Sequence, residues 1–228
     1  ARSGSTFLME LLLSQKGIKS CSEPFNLRRP WARRESGLNS WEDLLPNPER
    51  ERKIKNYFTR IKNGEIPAFN TPPFTPHHQF FTNRIVFKIL HGGEDIIPFF
   101  RKTFQGQIIF LMRHPVPVTL SRESFPRLEL FLKNDIFRSS LSPQQIAVSE
   151  EVIKKGDHLE KGIVAWCLQN FPALSDPDIK NWLVLSYEEL VMNPVPVVET
   201  IIRNFDFDRP DLMLKAVQRP SDTVYKSD

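Results

Sequence analysis

An α/β fold, three layers deep with a central parallel sheet between helices, is what this 228-residue sequence predicts. Three observations carry that expectation. Short apolar runs rich in Ile, Val, Leu and Phe recur at 84–90, 107–112 and 182–186, the pattern of strands covered on both faces. Helical patterns fall between these runs, and strands alternating with helices give a parallel sheet. A composition of 40% hydrophobic and 25% charged residues, over this length, suits a single domain spanning 1–228 with a sizeable core.

In chain order, helices are expected at about 5–15, 48–62, 95–104, 117–132, 143–154, 157–171, 194–204 and 210–217. Ser142-Pro143 and Asn193-Pro194 read as a cap followed by Pro at the first helical position. Leu159, Ile163, Trp166 and Phe171 mark one apolar face. The stretch 26–82 differs from its flanks: Trp31, Trp41 and a charged helix precede a Pro/Phe run at 66–76 that cannot be regular structure. It reads as an ordered loop or lid. No internal repeat is present.

Function enters at the start of the chain. Arg2-Ser3-Gly4-Ser5-Thr6 runs into Phe-Leu-Met-Glu-Leu-Leu-Leu, so a small hydroxyl-rich loop opens onto a helix that must be buried. Such a helix points free N–H groups and a positive dipole end into a crevice, an anion site by construction. A simple Ser/Gly cap is the plainer reading. A Walker-type NTPase would have Lys directly after the last Gly and an acidic strand end to hold magnesium. Here Ser5 follows Gly4, and the strand 107–112 ends in Arg113. A cation where a metal ligand would stand suits a metal-free site for a highly charged anion. Ser121, eight residues after Arg113, is placed to face back and help grip a second phosphate. An Arg paired to a sheet-edge carboxylate is the alternative.

These residues resemble the sulfotransferases that use 3′-phosphoadenosine-5′-phosphosulfate (PAPS). The loop Arg2–Thr6, the Arg113-His-Pro115…Ser121 segment and Leu183-Val-Leu-Ser-Tyr-Glu-Glu-Leu-Val-Met-Asn-Pro194 occur in the family's order. The similarity spans about 1–27 and 84–222. It implies a P-loop NTPase-like fold and sulfuryl transfer to a hydroxyl acceptor, a carbohydrate or small metabolite, without a metal. Residue by residue, it implies that Arg2, Ser3, Gly4, Ser5 and Thr6 cradle the 5′-phosphosulfate. Arg113 and Ser121 would hold the 3′-phosphate, and Tyr187 would lie near the adenine. Arg2 is the candidate for stabilising charge on the departing phosphate. Having Arg rather than Lys there, the chain is closer to the bacterial and carbohydrate-type branches than to the cytosolic one. A nucleotide-binding module without transfer activity, and a magnesium-requiring kinase of the same fold, are the competing readings.

Two residues compete as the general base. Glu23, in Cys21-Ser-Glu-Pro-Phe25, is similar to the Glu-Pro of carbohydrate-type members, and partial burial would lift its pKa towards a useful range. His91 follows Lys88 with two residues between, where the cytosolic branch has one, and on a strand that spacing turns the side chain to the other face. Lys88 resembles the family's strand-end Lys near the transferred group; an edge Lys guarding against aggregation is the plainer reading. The segment 26–82 matches nothing in the family and is the expected wall of the acceptor pocket. Arg28, Arg29, Arg33 and Arg34 there fit either an acidic carbohydrate acceptor or a solvated charged face.

A formal net charge of +4 suits an anionic cofactor but is too small to argue for nucleic acid, and no nucleic-acid-binding motif appears. Two cysteines, Cys21 and Cys167, give neither a disulfide framework nor a metal site. Both read as small core residues of a reducing, cytoplasmic compartment; a Golgi-lumenal enzyme whose anchor was removed would look the same. His77-His78 reads as a loop dipeptide. No stretch is long enough to span a membrane. The family has a buried strand just before its phosphate loop and a basic C-terminal loop completing the 3′-phosphate site. Neither is found here, so a fragment of a longer chain, or only its ordered part, with a groove where the strand would lie, is the expectation.

Overall fold

The computed structural model describes residues 4–66, 79, 81–90 and 95–219. The chain runs α1 (Ser5–Leu13), β1 (Ile18–Ser22), α2 (Pro30–Ser36), α3 (Pro48–Lys62), β2 (Arg84–Lys88), α4 (Ile97–Phe104), β3 (Ile109–Met112) and α5 (Pro115–Leu120). It continues through α6 (Leu128–Lys133), α7 (Asp135–Arg138), α8 (Pro143–Lys155), α9 (His158–Leu174), β4 (Leu183–Ser186), α10 (Tyr187–Met192), α11 (Pro194–Phe205) and α12 (Pro210–Val217). All strand pairing among the described residues is parallel. β1 pairs with β2 from Ile18↔Arg84 to Ser22↔Lys88, and β3 with β4 from Ile109↔Leu183 to Met112↔Ser186.

The fold class is therefore α/β, but among the described residues the strands form two two-stranded sheets rather than one. β2 and β3 face each other across an elongated cleft of about 830 Å³, lined by Ile85–Lys88 on one side and Ile109–Met112 on the other. Both strands run the same way along it. At one end Arg84 of β2 and Gln107, just before β3, bond the carbonyls of Phe205 and Asn204. At the other, Lys88 and Arg113 arrive at the start of α1. The apolar runs expected to be fully covered are only half-buried on β2 and β3, because each turns one edge to this cleft.

Side chains alternate across both sheets, as the strand period requires. Val86, Ile109, Leu111 and Leu185 pack with Leu8, Leu11, Val198, Ile201 and Met213, a core shared by α1, α11 and α12. On the opposite face Phe87 meets Phe58 of α3, their rings 4.8 Å apart, within a core holding Cys21, Phe25, Tyr57 and Phe100. Phe110 and Met112 pack instead with Trp182 and Ala173. The long α9 sits on α6 and α8 through Ala165 and Leu168.

Most expected helices form near their expected bounds. The one expected over 117–132 is two, α5 and α6, because Arg122 N–H closes a turn on the carbonyl of Thr119 and Pro126 stands in the break. Ser142 caps α8 as expected, in a reciprocal box with Gln145, and Asp157 does the same for α9 with Glu160. Asn193 precedes α11 without a side-chain cap. On α9 the buried positions are Gly162, Ala165, Leu168 and Ala173, a face rotated from the expected aromatic stripe. Cys21 is buried, which pushes its thiol up to about 12 despite the opposing charge of Arg29. Cys167, expected in the core, lies exposed on α9 instead. The segment 67–78, with the Pro/Phe run and His77-His78, lies outside the described residues apart from Ile66.

Candidate active site

The site begins at Gly4, the N-cap of α1. Its φ of 82° is the left-handed conformation that costs a side chain energy, and its carbonyl accepts the Leu8 N–H at 3.0 Å. Among the described residues no side chain caps this helix and its first turn carries no acid, so no described cap claims the first-turn amides. Leu8, Leu11 and Leu12, all buried, fix the helix axis behind them.

A second reason for glycine is contact. A Cβ on Gly4 would stand 2.0 Å from Cδ2 of Tyr187. Gly4→Ala is expected to destabilise the fold by about 1–3 kcal/mol through the strained φ and displacement of that ring. A thermal melt checks this, with an unaltered midpoint as the contrary result.

β1 and β2 deliver the second part of the site at their carboxyl ends. Lys88, its side chain only 8% exposed, donates from Nζ to Thr6 Oγ1 at 3.0 Å and pairs with Glu23 Oε1 at 3.3 Å. The Glu23 N–H donates to the Lys88 carbonyl at 2.8 Å, extending the β1–β2 ladder by one bond. Glu23 then turns with φ 57°, an unusual conformation for a residue with a side chain. Several bonds hold it there. Asn26 Nδ2 donates to Glu23 Oε2 at 3.1 Å, its N–H donates to the Glu23 carbonyl at 3.0 Å, and the Tyr57 hydroxyl donates to the Pro24 carbonyl at 3.1 Å. The carboxylate is thus aimed from both oxygens while remaining 28% exposed.

β3 and β4 deliver the third part. Arg113 follows β3 directly, and its guanidinium lies 4.5 Å from the centre of the Tyr187 ring, which opens α10 after β4. The same ring abuts Gly4 and meets Phe7 edge-on at 6.3 Å. Arg113, Tyr187 and the Gly4 turn are therefore contiguous. Glu188 ties the two strand ends together, accepting from the His114 N–H at 3.0 Å and the Ser186 hydroxyl at 3.0 Å. Burial alone would raise its pKa. The N–H groups of His114 and its own backbone, the Ser186 hydroxyl and the nearby charge of Arg113 outweigh that and hold it below the usual carboxylate value.

The cleft is also lined by Ser5 and Met9 of α1, by Arg122, and by Trp166, Gln169 and Asn170 of α9. Over its full length the described lining contains Lys19, Lys62, Arg84, Lys88, Arg113 and Arg122 and no Asp or Glu. Such a surface attracts anions.

Of the residues singled out from sequence, Gly4, Thr6, Glu23, Lys88, Arg113 and Tyr187 share these contacts, and Ser5 lines the cleft. Arg2, Ser3 and His91 lie outside the described residues. Ser121 is exposed, ends α5, and donates its hydroxyl to the Val118 carbonyl at 2.8 Å; it does not line the cleft. Arg28 and Arg33 are exposed, and Arg34 is engaged with Glu35 at 2.9 Å. Asn26 and Glu188 join the site without a signal of their own in the sequence beyond proximity to Glu23 and Tyr187.

What the described residues define is an α/β protein with a cationic, carboxylate-free cleft opening at its strand ends. No described helix is long and apolar enough to cross a membrane. Searches against protein-family models, curated proteins and solved structures return no match for the chain.

Proposed function

We propose that the chain is a sulfotransferase domain that moves the sulfuryl group of PAPS to an acceptor hydroxyl. One observation carries the reading. The unacidified start of α1, the Thr6–Lys88–Glu23 cluster and the Arg113–Tyr187 pair meet at one end of a cleft whose described lining has six cations and no carboxylate. A sulfonated nucleotide with two phosphate positions matches such a donor set: amides and hydroxyls at the Gly4 turn, a guanidinium beyond Tyr187.

In this reading Glu23 takes the acceptor's proton as the acceptor oxygen bonds to sulfur. The bond from sulfur to the bridging phosphate oxygen breaks, and its electron pair stays on that oxygen. Lys88 and the α1 amides stabilise the charge that develops there. Glu23 and Lys88 being in contact puts base and electrostatic stabiliser side by side. The acceptor is a hydroxyl compound; Arg28 and Arg33, both exposed, would favour an acidic one. The two half-sheets are read as parts of one central sheet between helical layers, a P-loop NTPase-like arrangement. Support comes from strand polarity and from the core that Val86, Ile109 and Leu185 share.

Calorimetry with adenosine 3′,5′-bisphosphate tests the proposal. Binding that is equal with and without magnesium, and weaker for 5′-AMP, is the expected result. Binding that requires magnesium moves the assignment to a phosphotransferase, and absence of binding removes it.

A further inference from the structure

Resting on that reading, we infer that Arg122 is the second residue of the phosphate clamp, partnering Arg113 in the position the sequence offers to Ser121. The turn after α5 decides which of the two neighbours faces the ligand. Thr119 is buried against α9, where Gly162 leaves room for it: a Cβ on Gly162 would lie 2.1 Å from Thr119 Cγ2 and 2.7 Å from the Phe125 ring. With α5 seated in this way, the Arg122 N–H bonds the Thr119 carbonyl at 3.0 Å and fixes the exit turn. Ser121 then points outward and spends its hydroxyl proton on Val118. Arg122 turns inward, half-buried, and lines the same cleft as Arg113, Val118 and Lys88.

α5 spans six residues, roughly 9 Å of helix, with Arg113 just before its start and Arg122 just after its end, and both side chains line one cavity. Two guanidinium groups lining one cavity suit a phosphate, whose oxygens are spread in three dimensions and can accept charge-assisted bonds from each. A serine hydroxyl already donating to its own helix has less to give. Arg122 is therefore a binding residue for the phosphate farther from the Gly4 turn.

The test is calorimetry on the full chain with adenosine 3′,5′-bisphosphate and with 5′-AMP, comparing wild type with Arg122→Ala, Arg122→Lys and Ser121→Ala. Loss of one charge-assisted contact predicts that Arg122→Ala weakens the bisphosphate by about 10- to 100-fold and 5′-AMP by less than about 3-fold. Arg122→Lys should fall between, because charge remains without the fork. Ser121→Ala should stay within about 2-fold of wild type, losing only a hydroxyl already bonded to its helix. A melting curve for each variant checks folding, and Arg122→Lys serves if the alanine variant is unfolded. Bisphosphate binding unchanged in Arg122→Ala or Arg122→Lys, equal loss for both nucleotides, or a loss confined to Ser121→Ala overturns the assignment. A wild-type chain that binds neither nucleotide overturns the underlying sulfotransferase reading along with it.

Discussion

Glu23→Gln is expected to lower turnover by about 100-fold or more while leaving nucleotide affinity nearly unchanged, as loss of a general base without loss of shape does. The substitution is close to silent structurally. A glutamine carbonyl can still accept from Asn26 or Lys88, and the φ of 57° at this position is no harder for Gln than for Glu. What disappears is an acceptor for the hydroxyl's proton. The measurement is release of adenosine 3′,5′-bisphosphate from PAPS with simple sugars and phenols as trial acceptors. A contrasting variant sharpens it. Glu23→Gly removes the same carboxylate but relieves the left-handed backbone, so it should match the loss in turnover without a fall in melting temperature. Turnover unchanged in Glu23→Gln would pass the role to His91.

That a strained non-glycine residue sits at the end of β1 has a physical consequence for the site. The conformation is tolerable because the surrounding bonds fix the turn on all sides: Lys88 holds the Glu23 N–H, Asn26 its carbonyl and one carboxylate oxygen, and Tyr57 the next carbonyl. Tyr57 belongs to the stretch 26–82 that reads from sequence only as an acceptor-pocket insertion. Part of it is instead structural support. α3 buries Ile54, Tyr57, Phe58 and Ile61 beneath the Glu23 turn and the Phe87 face of β2. Burial lifts the Tyr57 phenol well above its ordinary range, so the supporting hydroxyl keeps its proton.

Local chemistry explains what was legible. Gly4 before an apolar helix, Arg113 after an apolar strand and Tyr187 at the next strand end each announce themselves through sequence neighbours, and these three are contiguous in space. The Lys88–Glu23 contact was half-legible: Lys88 ends an apolar run, but Ile-Lys-Ser-Cys-Ser before Glu23 carries little strand signal and nothing in the sequence aligns Ser22 with Lys88. Ser121 and Arg122 show the opposite case. Which of two adjacent residues faces a ligand is set by the exit turn of α5 and by Thr119 seated at Gly162, a contact across 43 residues of chain. The rotated face of α9 has the same origin, since Gly162 and Ala165 carry almost no hydrophobic signal yet mark the closest helix approaches.

Supplying one more strand to the cleft is expected to raise the melting temperature by about 10 °C. The cleft separates β2 and β3, two co-directional strands of five and four residues, and apolar side chains line both its walls. Open strand edges leave backbone groups to solvent and sheet faces uncovered. A five-residue Val/Ile segment joined to Ala1 of this 228-residue chain is expected to enter the cleft parallel to both neighbours, since the Gly4 turn stands at their carboxyl end. Each buried Val or Ile contributes about 1.5–3 kcal/mol, against about 1–2 kcal/mol per residue for fixing its backbone. A net gain of about 3 kcal/mol moves the midpoint by about 2–4 °C per kcal/mol in a chain of this size. The matched control alternates Pro with Val, which keeps the apolar surface but removes the ladder donors. A rise with the Val/Ile segment alone supports a single sheet with Glu23, Lys88 and Arg113 on one common edge. Equal rises with both segments would mean nonspecific apolar cover, and no rise with either would mean that the two half-sheets are separate bodies.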